Sequence, residues 1–149
     1  MLVERARLLI ATFWVGSLWA IGYLAAPTLF ATLYDKVLAG TVAGSLFRTE
    51  AWASVTCAVL LLALQIKQRR LVLAMLACTL IGYFCLQPFM SALRESAGPG
   101  GVMASDAKTR FAVLHGISMV IYLAQSVLGA VMICRLVLSA AKPNAASLG

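Results

Sequence analysis

Three stretches of this chain, Leu8–Leu33, Leu71–Leu93 and Phe111–Cys134, contain no Asp, Glu, Lys or Arg. A helix rising about 1.5 Å per residue needs about 20 residues to cross a hydrocarbon core of about 30 Å, and each of the three meets that length. Ala51–Ile66 is equally free of charge but makes only about 24 Å of helix. It must therefore begin earlier, near Val42, taking Arg48 and Glu50 in at its outer end. Inside a bilayer every backbone polar group must bond within the protein, so continuous apolar runs of this kind are helices. The expected fold is an all-α integral membrane protein, a four-helix transmembrane bundle with spans of about 8–33, 42–66, 71–93 and 111–138. Residues 1–141 form the single domain and 142–149 a disordered tail. Hydrophobic residues make up 62% of the chain and charged residues 11%, against about 45–50% and about 25% in soluble domains, which leaves no stretch for a separate soluble domain.

The net charge of +7 is a matter of placement. With the N-terminus cytoplasmic, the inner segments hold Arg5, Arg7, Lys67, Arg69, Arg70, Arg135 and Lys142. The outer loops hold Lys36, Arg48, Arg94, Lys108 and Arg110 together with four of the five acids. The tight turn Lys67-Gln68-Arg69-Arg70 carries the strongest positive-inside signal. Both termini are expected on the cytoplasmic side, the basic balance serving topology and anionic lipid and not nucleic acid. Arg5 and Arg7 ahead of an apolar run resemble a signal peptide, but the run is too long for one and reads as an uncleaved first helix. Cys57, Cys78, Cys85 and Cys134 all fall within predicted helices with no C-x-x-C, so they read as small buried packing residues without disulfide or zinc spacing.

In the first helix Gly16, Ala20, Tyr23 and Pro27 share one face, opposite Trp14, Leu18 and Ile21, and the small-residue side is expected to pack. Gly40 and Gly44 form a weak small-residue motif ahead of the second helix. In that helix Glu50 lines up with Ala53, Ser54, Cys57 and Leu61, while Arg48 points elsewhere, to head groups. Ala74, Cys78, Gly82 and Cys85 share a face of the third helix, whose outer end Gln87-Pro88 is expected to kink or unwind. The loop Arg94–Arg110, with Gly98-Pro99-Gly100-Gly101, is expected to be the most mobile part. In the fourth helix His115, Ser118, Tyr122, Gln125, Ser126 and Gly129 form one polar stripe, opposite an aliphatic face, and such a stripe faces protein or a water cavity. No internal repeat stands out.

The runs G-S-L-W-A-I-G-Y-L-A-A-P-T-L-F (Gly16–Phe30), A-G-T-V-A-G-S-L-F (Ala39–Phe47) and F-A-V-L-H-G-I-S (Phe111–Ser118) resemble, in the same order, the bacterial membrane family called domain of unknown function 4149, of which human transmembrane protein 205 is a distant relative. The resemblance implies four helices and a bacterial inner-membrane location. It brings no catalytic residues to carry over.

Two functional readings follow. In the first, the protein is an accessory or structural bundle whose polar cluster, in the outer-leaflet half, specifies packing or receives a partner, either a second copy or another membrane protein. In the second, it is a small transporter or ligand-binding protein with an outward-facing pocket around His115 and Glu50, lined by Tyr23, Cys57, Ser118, Tyr122 and Gln125. The bland account of His115 is a packing hydrogen bond, and that of Glu50 an interfacial carboxylate paired with Arg110 or Lys108. Packing positions are Gly16, Ala20, Gly40, Gly44, Gly82 and Gly129. A soft metal on His115, Cys57, Cys85 and Met90 is conceivable chemistry that the spacing does not demand. No metal or other cofactor is expected, and no nucleophile–base constellation points to an enzyme.

Overall fold

The computed structural model describes residues 2–96 and 103–141, and the described residues are all helical or turn. Four helices are long and apolar enough to cross a membrane: α1 Leu2–Thr32, α2 Lys36–Ala63, α3 Arg69–Glu95 and α4 Ser105–Ala141. The tail 142–149 and residues 97–102 of the α3–α4 loop, expected to be disordered and mobile, lie outside the described residues. Each helix packs against the next, and α4 closes back onto α1, while the backbones of the diagonal pairs stay apart. The result is an up-down-up-down ring around a central space.

The turns explain why the helices start and stop where they do. In the three-residue link Leu33–Asp35 the two charged neighbours each cap one helix. Asp35 accepts from the backbone N–H of Val37 at 2.8 Å and of Leu38 at 3.1 Å, an N-cap that starts α2. Lys36 Nζ donates to the carbonyls of Phe30 at 2.6 Å and Leu33 at 3.0 Å, satisfying the end of α1. Because this cap is so well made, α2 begins at Lys36 and not near Val42, and Gly40 and Gly44 lie inside a continuous helix. Glu50 therefore stands halfway along α2, about 20 Å of helix from either end, and not at an end as its sequence position suggested.

At the opposite end Ile66 N–H donates to Leu61 C=O at 3.2 Å and Gln65 N–H to Leu62 C=O at 2.9 Å, with Gln65 at φ 53°. This is a Schellman turn, and its hydrophobic partners Leu61 and Ile66 lie in one core cluster. Arg7 completes it, donating from Nε to Leu64 C=O at 2.9 Å and from Nη2 to Gln65 C=O at 3.1 Å, a cation on the carbonyl end of a helix.

Both helices that carry a proline widen just before it. Pro27 is preceded by a π-helical segment, Ala20–Ala25, and Pro88 by another, Leu80–Leu86. Proline has no N–H for the carbonyl four residues back and its ring crowds that carbonyl; a π turn takes up the mismatch with one extra residue. So α3 does not unwind at Gln87-Pro88 but runs on to Glu95. One residue after its start each segment carries the same triplet, Ile21-Gly22-Tyr23 and Ile81-Gly82-Tyr83. This is an internal similarity between the first and second hairpins, confined to three residues and the π turn that holds them.

The core lies at one end of the ring. Trp14, Leu18, Leu61, Val72, Met75 and Met132 are fully buried, all near the α2–α3 turn. Gly129 makes room there: a Cβ on it would stand 2.9 Å from Val15 Cγ2 and 3.4 Å from Met75 Cε. The packing face of α1 is thus Ala11, Trp14, Val15 and Leu18, the reverse of the small-residue face expected. Gly16 and Ala20 are exposed, with nothing within 4 Å of a Cβ on Gly16. Trp14 decides this, because its indole N–H requires a partner away from water and finds Ser54 Oγ at 2.6 Å. Of the cysteines only Cys57 is buried, whereas Cys85 and Cys134 are exposed. The extra residue in the α3 π segment turns Cys85 away from the face that Cys78 and Gly82 share.

Candidate functional site

Away from the closed end the four helices separate around a cavity of about 1080 Å³. That is at or above the upper end of the ~300–1,000 Å³ range of small-molecule sites. Each helix supplies polar groups to an otherwise apolar and aromatic wall: Tyr23 from α1, Glu50 from α2, Thr79 and Gln87 from α3, Ser118 and Gln125 from α4. The ionisable side chains of the cavity fall at two levels. Lys36, Arg94 and His115 belong to its mouth, and Glu50 to its base.

The base is built from the closed core outward. Trp14 Nε1 donates to Ser54 Oγ, and Ser54 Oγ donates to Glu50 Oε1 at 2.6 Å. Glu50 is only 5% exposed. Its second oxygen has no hydrogen-bond partner among the described residues, yet it is not sealed off as a buried orphan, because the side chain lines the cavity. Among the described residues no ion pair reaches it. The salt bridge found among the described residues joins Arg110 to Asp106 on the same helix at 2.9 Å, both exposed, so Glu50 is not the partner of Arg110. Arg48, two residues away, points around the helix and donates to Tyr83 Oη at 3.2 Å.

Beside the base, the inner half of the α4 polar stripe is used within the chain. Gln125 Nε2 donates to Thr79 Oγ1 at 2.9 Å, and Tyr23 Oη donates to Ser126 Oγ at 2.9 Å. Tyr122 Oη donates to Leu18 C=O. These bonds tie α4 to α3 and α1 where the ring begins to open. The rings of Tyr23 and Phe47 meet Tyr122 edge to face, with centroids 6.1 and 5.6 Å away. The outer half of the stripe, Ser118 and His115, faces the open part. His115 is exposed and stacks on Phe111 at 5.9 Å, 7° from parallel. Arg94 lies over the other partner of that stack, 5.5 Å from the Phe111 centroid, and donates to Gly40 C=O at 3.2 Å. Its Nε is buried with no partner among the described residues.

Of the seven residues expected to line a pocket, six do: Tyr23, Glu50, His115, Ser118, Tyr122 and Gln125. They are not at one level, since His115 belongs with the mouth and Glu50 with the base. Cys57 is the exception. Two turns beyond Glu50, it passes the cavity floor and joins the core with Ala58 and Leu61. Cys57, Cys85, His115 and Met90 do not converge, and among the described residues no three His, Cys, Asp or Glu side chains come together. Phe47, Thr79 and Arg94 were not singled out from the sequence as lining residues, whereas Gln87 already stood among the polar groups at the outer end of the bundle. Phe47 carried a signal, lying one turn before Glu50 on the same side of the helix; Thr79, about 100° around the helix from Cys78, carried none.

A family model for a domain of unknown function, DUF4149, matches residues 9–99. No curated protein and no solved structure matches the chain. The match takes in nearly all of α1, all of α2 with Glu50, and α3, both proline-linked π segments included, and stops before α4. With more than half of its length matched, the chain belongs to the DUF4149 family.

Proposed function

We propose that this is a multi-pass membrane protein whose half-open bundle binds a small, largely apolar molecule, as a carrier or a receptor for it. The observation that carries the reading is the cavity of about 1080 Å³ with a buried carboxyl side chain, Glu50, at its base and no ion-pair partner for it among the described residues. An ionisable group held among apolar helices is costly to keep and marks a ligand or ion path. The packing account explains only the inner half of the α4 stripe, whose groups are bonded within the chain, and leaves Glu50, Ser118 and His115 facing open space. We take the site to bind without catalysis, because the one hydroxyl bonded to Glu50, that of Ser54, is fully buried behind the cavity wall.

The surrounding membrane is taken to be a bacterial inner membrane, with both termini on the cytoplasmic side. The closed core then lies in the inner leaflet half and the cavity mouth faces out. The basic turn Lys67–Arg70 supports this orientation. Alkaline phosphatase fused after Ser139 is expected to be inactive, and the same enzyme inserted at Tyr34 active; the reverse pattern would invert the protein.

The ligand reading is tested by filling the cavity. A Cβ on Gly44 meets only Gln87 Nε2, at 3.9 Å, so Gly44→Leu projects into the cavity without a backbone clash. Protein purified in mild detergent and examined by native mass spectrometry is expected to carry a small molecule that Gly44→Leu loses. Identical bare masses for both, at the same oligomeric state, would return the protein to an accessory role, alone or with a membrane partner.

A further inference from the structure

We infer that the cavity takes a lipophilic monocation, its charge against Glu50 and its apolar body against the rings above it. The inference rests on reading the cavity as a ligand site, and it names the class of ligand. Its first support is the missing counter-charge. Glu50 is buried, one oxygen is bonded to Ser54, and the other opens on the cavity without a partner among the described residues. Arg48 is turned to Tyr83, and Arg110 is paired with Asp106. A carboxyl group removed from water either takes up a proton or is paired with a compensating charge, and on this inference the occupant of the cavity supplies that charge.

The second support is what surrounds that oxygen. Phe47 lies three residues before Glu50, on the same side of α2 and one turn nearer the mouth. With Tyr122 and Tyr23 it forms a run of edge-to-face contacts, at 89° and 70° between planes, and all three rings line the cavity. A carboxyl group sharing a cavity wall with several aromatic rings suits a diffuse positive charge on an apolar body. A hard metal cation, by contrast, requires several oxygen ligands, which the base does not gather.

An anionic ligand would go elsewhere. The cations at the mouth are held there by carbonyls, Lys36 by those of Phe30 and Leu33 and Arg94 by Gly40 C=O, with Phe111 beneath its guanidinium and its Nε left without a partner among the described residues. They stand near Gly40, about 15 Å of helix from Glu50. An anion would therefore bind at the rim, indifferent to Glu50.

Tetraphenylphosphonium and tetraphenylborate share shape and apolarity and differ in charge, so the pair separates these cases. The full chain in lipid nanodiscs, with empty discs subtracted, is expected to bind tetraphenylphosphonium at least tenfold more tightly than tetraphenylborate in equilibrium dialysis. Glu50→Gln keeps an acceptor for Ser54, removes the charge, and is expected to cost tenfold or more in phosphonium affinity with size-exclusion profile and Tm unchanged. Should that variant misfold, Phe47→Leu, which spares the charge, is expected to weaken the phosphonium severalfold and leave the borate unchanged. Equal binding of both ions, blocked by Gly44→Leu, would overturn the cation class and leave the cavity as a ligand site. Binding of neither probe, or phosphonium binding indifferent to Glu50→Gln and Phe47→Leu alike, would overturn the proposal outright.

Discussion

Trp14→Ala is expected to destabilise the bundle by about 3–5 kcal/mol, the range for removing a large aromatic from a packed core. Trp14 is fully buried and sits in the cluster with Val15, Leu61, Met75 and Met132. Its indole N–H is bonded to Ser54 Oγ at 2.6 Å. Truncation removes both the ring, leaving a cavity at the one place where all four helices meet, and the donor. For a chain of this size each kcal/mol moves Tm by roughly 2–4 °C, so a drop on the order of 10 °C is expected in mild detergent. Trp14→Phe separates the two parts. It keeps most of the bulk and leaves Ser54 without its donor, for an expected cost of about 1–2 kcal/mol. A Trp14→Ala protein that melts with the wild type would mean that the closed core does not hold the ring together. The same substitution bears on the site, because Ser54 is what positions Glu50 at the cavity base.

The four helices were legible because uncharged runs of membrane length admit almost nothing else. The polar stripe of α4 was legible for the complementary reason: His115, Ser118, Tyr122 and Gln125 are conspicuous on an aliphatic helix. What was not legible is which apolar face packs. In water hydrophobic contrast marks the inward side, but on α1 both sides are apolar, and Gly16 and Ala20 gave the wrong one. The available clue was Trp14, whose N–H has to be satisfied. The start of α2 was missed because Gly40, Thr41 and Gly44 dilute the apolar signal that Asp35 and Lys36, by capping both helices, make unnecessary. That shift of six residues moved Glu50 from a helix end to its middle and altered its meaning. Beyond Pro27 and Pro88 the difficulty is geometric. Each π segment adds a residue to a turn, so a wheel drawn at 100° per residue loses register there, and Cys85 was assigned to a face it does not occupy. The repeated Ile-Gly-Tyr was visible in the letters, but its meaning depends on the π segments that hold both copies.

Two glycines of α1, six residues apart, are expected to respond oppositely to the same methyl group. Gly16→Ala should be neutral or slightly stabilising, since a Cβ there meets nothing within 4 Å and alanine is favoured over glycine in a helix by about 0.5–1 kcal/mol. Gly22→Ala should cost about 1–3 kcal/mol, as overpacking does. A Cβ on Gly22 overlaps the Tyr122 ring, with Cζ and Oη both at 2.7 Å. That ring cannot simply swing aside, because it is anchored to Leu18 C=O and wedged between Tyr23 and Phe47. The clash therefore forces α1 from α4 or pushes the ring into the cavity, and on the second path phosphonium binding falls along with Tm. Removing the ring should relieve the clash: Gly22→Ala combined with Tyr122→Val is expected to cost less than the two single variants together, the sign of direct coupling. Additive losses would mean the two residues do not touch, and equal effects at Gly16 and Gly22 would mean that α1 packs on the face its small residues first suggested.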